Sequence, residues 1–293
     1  MRSPRTLLKS SPIGLVPLNW NFSFDNKEDY LQRIAGYGFQ GIQISEDQAK
    51  STEFLRLMNQ LNLRKAEQYI AIKCDTEGPL PNSALETENS INLAKVAGVE
   101  MLVFAVDGSE DREKYAARAS RAQSLSEAGF TRLAAHIEKY ATLGASLQMR
   151  SSFHQHAATY IETPEETRKL MSKINSELVG ICLDVGHWLV GGGEIDTAIS
   201  EYGSRITHVH VKDVSREVLK KLKNAEYETM HLAVHKDKLF VPAGTGILDL
   251  NQLFNRLQNI DFKGWLMSEQ DSAYDPSEEA SAISIKNIKT HLS

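Results

Sequence analysis

Four short segments of the chain each place a metal-binding side chain at or just past an apolar run. They are SLQMRSSFHQH (146–156), VGICLDVGH (179–187), RITHVHVKD (205–213) and FKGWLMSEQD (262–271). The candidate donors are His154, Asp184, His210 and Glu269. Imidazoles with carboxylates suit Mn, Co, Fe, Ni or Zn, whereas Mg and Ca favour all-oxygen shells. The four are spread over more than a hundred residues, so only a fold can gather them. A barrel of parallel strands does so, because every strand's C-terminal end opens onto one mouth.

Each donor has neighbours that could share its work. In His208-Val209-His210-Val211-Lys212, alternation along a strand puts His208, His210 and Lys212 on one face. Three polar groups facing a barrel axis are costly unless they act together. His210 lies nearer the mouth, and His208, one layer deeper, is read as a buried partner that orients it. Lys212 could polarise an oxygen, act as a base if burial lowered its pKa, or simply pair with a carboxylate. His154 and His156 share a face in the same way, with His156 as a substrate contact or proton carrier. In Asp184-Val185-Gly186-His187 the Asp ends a strand and the Gly opens the backbone beside it. The plainer alternative is an Asp that caps the next turn, with His187 packed beside Trp188. Singly, each of these residues has a plain structural reading; four donors at four strand ends are much harder to obtain by chance.

Further mouth candidates are Asn19 and Trp20 after the first strand, Glu46 after the second, and Trp188. A flat ring against C–H faces and an amide for hydroxyls would suit a polyol. Against this stand core packing of Trp20 and solvation of Glu46. The Gly-rich Val241-Pro242-Ala243-Gly244-Thr245-Gly246 lacks the Lys-Ser/Thr of a phosphate loop and reads as a tight turn at the mouth.

The elements that must position these groups alternate. Strands are expected at 13–19, 41–45, 64–72, 101–106, 145–153, 179–185, 205–211 and 262–269. Helices are expected at 27–37, 51–61, 84–97, 112–143 with a break near Gly129, 164–174, 195–202 and 277–291. Thr163, Pro164 and Glu165-Glu166 form a strong helix start. Gly38, Gly98, Gly144 and Gly203 read as helix stops. The pattern predicts one (β/α)8 barrel over 1–293, with a short leader at 1–11. Segment 214–246 is too long for an ordinary βα connection and is expected to wall the mouth.

Composition agrees with an ordinary soluble globular protein. At 293 residues, 41% hydrophobic and 24% charged, the chain can bury a large core. A net charge of −5 without a dense basic cluster argues against a nucleic-acid partner. No apolar run approaches the roughly 18 residues of a membrane span. Cys74 and Cys182 lack metal or disulfide spacing and fit a reducing cytoplasm, with Cys182 a core residue. A small molecule is the expected partner, with self-association into a homo-oligomer left open.

Together these residues resemble the xylose-isomerase-like TIM-barrel superfamily of sugar isomerases, epimerases and dehydratases. Within it the chain looks most like the myo-inosose dehydratase branch. The matching stretches are IGLVPLNW, YGFQGIQIS, SFHQHAATYIETPEET, VGICLDVGHW, ITHVHVKDV, FVPAGTGILDL and GWLMSEQD, in order through most of the chain. The resemblance implies metal ligands at His154, Asp184, His210 and Glu269, with Mn or Co as the favoured ion. It also implies dehydration of an inosose, a cyclic polyol ketone, through an enediolate, as in inositol catabolism. Base and acid would come from His156, His187 and Lys212, with Glu269 a further base, and Trp20 and Trp188 would shield the intermediate. Related epimerases carry Glu at the first ligand position, where this chain has His154. The chain departs from the branch at Ala158, where Gly is typical, at ISED after strand two, and in its shorter acidic stretch MSEQDS. Two other readings stand beside dehydration: a sugar or keto-inositol isomerase or epimerase, and a non-catalytic polyol-binding barrel.

Overall fold

The computed structural model describes residue 8 and residues 10–276 and 278–292. Most of the expected leader, including residues 1–7 and 9, lies outside the described residues.

Eight parallel strands close into a barrel: β1 (Ile13–Val16), β2 (Gly41–Gln43), β3 (Arg64–Ile72), β4 (Met101–Val106), β5 (Arg150–His154), β6 (Val179–Asp184), β7 (Ile206–Val211) and β8 (Leu266–Glu269). Their spatial order is β1-β8-β7-β6-β5-β4-β3-β2. Each is followed by an outer helix: α1 (Lys27–Gly36), α2 (Thr52–Gln60), α3 (Ser83–Ala97), α4 (Glu127–Ser146), α5 (Pro164–Met171), α6 (Ile195–Tyr202), α7 (Leu250–Asn259) and α8 (Glu279–Leu292). Outward strand residues such as Leu102, Phe104, Phe153, Ile181 and Val209 pack on apolar helix faces in one large core. Inward residues fill the barrel: Val16, Ala66, Trp265 and Met267 in one cluster, Met101, Val103 and Cys182 in another.

Several boundaries differ from the sequence-based expectation. Strand five starts at Arg150, because α4 runs on to Ser146 and the chain turns at Gln148 with φ 66°. Gly144 therefore lies inside that helix rather than stopping it, while Gly98 does stop α3 in the left-handed conformation. Strand eight starts at Leu266 rather than 262. The helical stretch expected over 112–143 breaks before Gly129, between a short helix at Glu110–Lys114 and α4, which Ser126 caps. At α5, Thr163 and Glu166 form the reciprocal capping box that the sequence signals.

Segment 214–246 has structure of its own. Two helices, Arg216–Lys223 and Met230–Asp237, pack Val218, Leu219, Leu222, Met230, Ala233 and Val234 against Phe240. This second core also takes in Ala157, Ala158 and Val190 from the mouth. The Asp213 carboxylate accepts the N–H groups of Val214, Gly244, Gly246 and Leu248, which makes the Gly-rich segment a tight turn.

Two strand pairings slip by one residue. Between β2 and β3 the partners run Ile42↔Lys65, then Gln43↔Glu67; between β6 and β7 they run Ile181↔Ile206, then Cys182↔His208. Such irregularities re-aim side chains. Here the strands concerned carry Glu67 and His208, which meet inside the barrel.

Candidate metal centre and substrate pocket

The C-terminal ends of β5, β6, β7 and β8 bring His154, Asp184, His210 and Glu269 together. One donor atom from each lies within 4.8 Å of the others, and all four side chains are buried. His210 Nδ1 is 2.8 Å from Glu269 Oε2 and 3.7 Å from Asp184 Oδ2, and His154 Nε2 is 3.4 Å from Asp184 Oδ2. His154 Nε2, His210 Nδ1, Asp184 Oδ2 and Glu269 Oε2 face one another without a hydrogen bond of good geometry, and Lys212 Nζ stands beside Asp184 Oδ2 at 3.3 Å and Glu269 Oε2 at 3.1 Å. Buried polar atoms are normally hydrogen-bonded, so four donor atoms converging on one point, two of them beside Lys212, fit a bound cation. The donor set of two imidazoles and two carboxylates fits a divalent first-row metal.

Asp184 answers both readings of its sequence. Its Oδ1 accepts the backbone N–H of His187 at 2.7 Å and so caps the short helix Val185–Val190. Its Oδ2 is left facing the cluster. Burial works against its charge, yet Lys212 and then His187 hold the carboxyl well below the usual range.

Glu67, on β3, was missed by the sequence reasoning. Fully buried, its Oε2 meets His208 Nε2 and, at 2.9 Å, His210 Nε2. Burial would raise this carboxyl, but His210 and His208 hold it far below the carboxylate range. With Nε2 engaged by Glu67, His210 presents Nδ1 to the cluster. His208 is thus a buried partner as expected, acting with Glu67 rather than on His210 directly. The available signal was a lone acid inside the apolar-flanked run RKAEQYIAI.

Lys212 is completely buried and bridges carboxylates: its Nζ lies 2.7 Å from Asp271, 3.1 Å from Glu269 and 3.3 Å from Asp184. Burial opposes its charge, but Asp184, Asp271 and Glu269 outweigh burial and raise its pKa above the usual lysine value. Of the roles open in the sequence, pairing with carboxylates is the one the geometry displays. Its stem passes Gly186, where an added Cβ would sit 2.7 Å from Lys212 Cγ. Nζ also reaches His187 Nε2 at 2.9 Å and stands over the Phe240 ring at 4.8 Å.

His156 and His187 stack with centroids 3.7 Å apart. Burial, then the nearby His154 and Lys212, pushes His156 down to about 3. Its Nδ1 sits 2.6 Å from the Ala157 carbonyl, which can only accept, so Nδ1 carries the proton and Nε2 keeps its lone pair. A cavity of about 260 Å³ opens over these groups, lined by Leu18, Gln43, Tyr69, Val106, Asp107, Gly108, His156, Glu269 and Asp271. A larger cleft of about 850 Å³, between residues 108–114 and 228–231, holds none of the converging donors.

Three sequence candidates fall elsewhere. Trp20 Nε1 donates to Ser281 Oγ, and its ring packs edge-on against Tyr30 and Tyr37, so it joins the core between α1 and α8. Glu46 starts a short helix, and its carboxylate accepts from Ser90 Oγ on α3. Trp188 is buried with Nε1 on the Glu194 carbonyl and its ring against Tyr202. Each has turned away from the cavity because its polar atom found a partner in the outer layer. Asn19 stays at the rim, donating to the Gln270 and Asp271 carbonyls at 2.8 Å. It therefore shapes the segment carrying Asp271, a pocket residue that the sequence reading passed over. Tyr69 and Asp107 line the pocket and were missed as well, because an isolated Tyr or Asp in a strand run has no distinctive spacing.

The chain and its fold match known proteins. The chain belongs to the xylose isomerase-like TIM barrel family, which it matches over residues 31–291. It is 28% identical over 274 residues to an inosose dehydratase of Clostridium botulinum (strain Eklund 17B / Type B), covering 90% of each chain. It is 26% identical over 272 residues to an inosose dehydratase of Bacillus cereus (strain AH820), covering 89% of this chain and 90% of that one. Its fold superposes on the crystal structure of the IolI protein with a bound zinc atom with TM-score 0.69, at 14% identity, over 96% of both chains. Among the described residues, no helix is long and apolar enough to cross a membrane.

Proposed function

We propose that this protein is a divalent-metal-dependent hydro-lyase that removes water from an inosose. The observation that carries the reading is the convergence of four buried donors from four strand ends, with an imidazole rather than a carboxylate on β5. The inosose dehydratases that resemble the chain over nine-tenths of its length support the substrate class. The cavity is slightly smaller than the ~300–1,000 Å³ of drug-sized pockets and suits one small polyol ring.

His154, Asp184, His210 and Glu269 would hold the ion, with Mn or Co favoured by the resemblance and Zn, Fe or Ni compatible with the same donors. When bound, it supplies Lewis-acid polarisation of the substrate ketone. The remaining work falls to the chain. His156, whose Nδ1 faces the Ala157 carbonyl and whose Nε2 carries the lone pair, is the candidate that would take the proton from the carbon beside the ketone. Lys212, kept charged by three carboxylates, donates to the departing hydroxyl and recovers its proton through Asp271 or His187. Asp107, Gln43 and Tyr69 offer polar contacts to ring hydroxyls, and Asn19 fixes the rim. Inositol catabolism and a cytoplasmic setting are the context this chemistry fits, with the protein acting alone or as a homo-oligomer.

Two carboxylates working from opposite faces would favour epimerisation; His154 in the β5 position weighs against it. Metal analysis of purified protein, followed by proton NMR of an inosose reaction, tests the reading. Loss of water in a metal-dependent reaction is expected. Inversion or isotope exchange without loss of water would transfer the protein to the epimerases, and ligand-induced stabilisation without turnover at any added metal would make it a binding protein.

A further inference from the structure

We infer that Glu162 is a positioning residue: its single buried carboxylate pins together the loops after β4 and β5, and so sets the pocket wall formed by Asp107, Gly108 and His156. The inference rests on the pocket being the substrate site proposed above.

Glu162 Oε1 accepts the N–H of Ala117 at 2.8 Å, and Oε2 accepts the N–H of Ala158 at 2.7 Å. The first amide belongs to the connection after β4, the second to the turn that follows His156. Both alanines are held at positive φ, 61° and 64°, where a Cβ is disfavoured. A conformation of this kind persists only where its surroundings dictate it. Here one acid receives both strained amides. The loops touch again at the Gly108↔Thr159 bridge, next to the cavity. A third loop arrives at the same point: Gly191 ends the helix carrying His187, and a Cβ there would lie 2.3 Å from the Glu162 carbonyl oxygen. The stacked His156–His187 pair is thereby referred to one anchor.

The charged groups around Glu162 are Arg112 and Glu166. Buried Arg112 grips both Glu166 oxygens at 2.9 and 2.8 Å, and Glu166 Oε2 accepts the N–H of Glu162 itself. Burial pushes the Glu162 carboxyl up to about 7, against the pull of the Ala158 amide, Arg112 and the Ala117 amide. Only the ionised form can accept both N–H groups without presenting a hydroxyl hydrogen to one of them.

The test compares the parent protein with Glu162→Gln and with Glu162→Gln/Ala158→Gly. Glutamine keeps one acceptor and turns an NH2 group onto the other amide. Amide exchange of Ala117 and Ala158 is expected to quicken by about tenfold to a hundredfold, the equivalent of one charge-assisted hydrogen bond. KM for an inosose should rise about tenfold and kcat should fall too, because the loosened wall includes His156, while metal content stays unchanged. Glycine at 158 relieves the strain and should recover part of the KM. In the parent, KM should climb as pH falls below about 7, and that limb should flatten in Glu162→Gln. Unchanged exchange, or faster exchange with KM, its pH limb and the glycine rescue all unmoved, overturns the inference. If no inosose is turned over, the function proposed above fails, while amide exchange still decides whether the clamp exists.

Discussion

The two halves of the barrel mouth treat polar side chains in opposite ways. On the β1–β2 side, Trp20 is paired to Ser281, Glu46 to Ser90, and Asn19 to two carbonyls. On the β5–β8 side, His154, Asp184, His210 and Glu269 keep buried atoms without hydrogen bonds. In the sequence, the first side offered Asn19, Trp20 and Glu46 only as further mouth candidates, and the second offered the four donors as a set. What separates them is how they are satisfied: the first group finds partners away from the cavity, and the second converges on one buried point beside Lys212.

The contrast can be broken experimentally, and the largest effect is expected at the β5–β8 side. The His210→Ala/Asp184→Ala double variant should lose all stoichiometric metal and all activity while staying folded; metal retained at one equivalent by elemental analysis would sink the ligand assignment. Lys212→Met should cost about 10²–10⁴ in kcat, the range of a positioned acid or base, and leaves three carboxylates without their shared cation. A kcat within a few fold of the parent would remove Lys212 from the mechanism.

Glu67→Gln comes next, with metal affinity expected to fall about 10–100-fold, as for partners that orient ligating histidines. The same residue shapes acid stability. Its carboxyl is held below the ordinary value in the folded state, so its contribution is complete above the unfolded pKa and is lost as pH falls through about 4 and below. The acid limb of the stability curve should therefore be shallower in Glu67→Gln, and parallel curves would contradict the buried Glu67–histidine arrangement.

The smallest effects belong to the β1–β2 side. Trp20→Phe should cost about 1 kcal/mol of stability through the lost Ser281 bond, leaving kcat/KM within about twofold. A tenfold loss of kcat/KM at unchanged stability would return Trp20 to the substrate pocket.

The four donors and the barrel were legible because each donor ends an apolar run, and eight such runs alternate with helical patterns. Glu67 was not legible, since its meaning comes from His208 and His210, which lie 141 and 143 residues away. Asp271 and Phe240 were hidden for the same reason: each acquires its role only by standing against Lys212.

Sequence by itself thus determined the fold class, the four strand-end side chains that converge and several helix starts, because periodicity and capping are local properties of the chain. The tertiary structure alone decided which polar residues find partners away from the cavity and which converge beside Lys212. That choice depends on partners brought together across the barrel, and on two one-residue slips in strand register that turn Glu67 and His208 inward to meet.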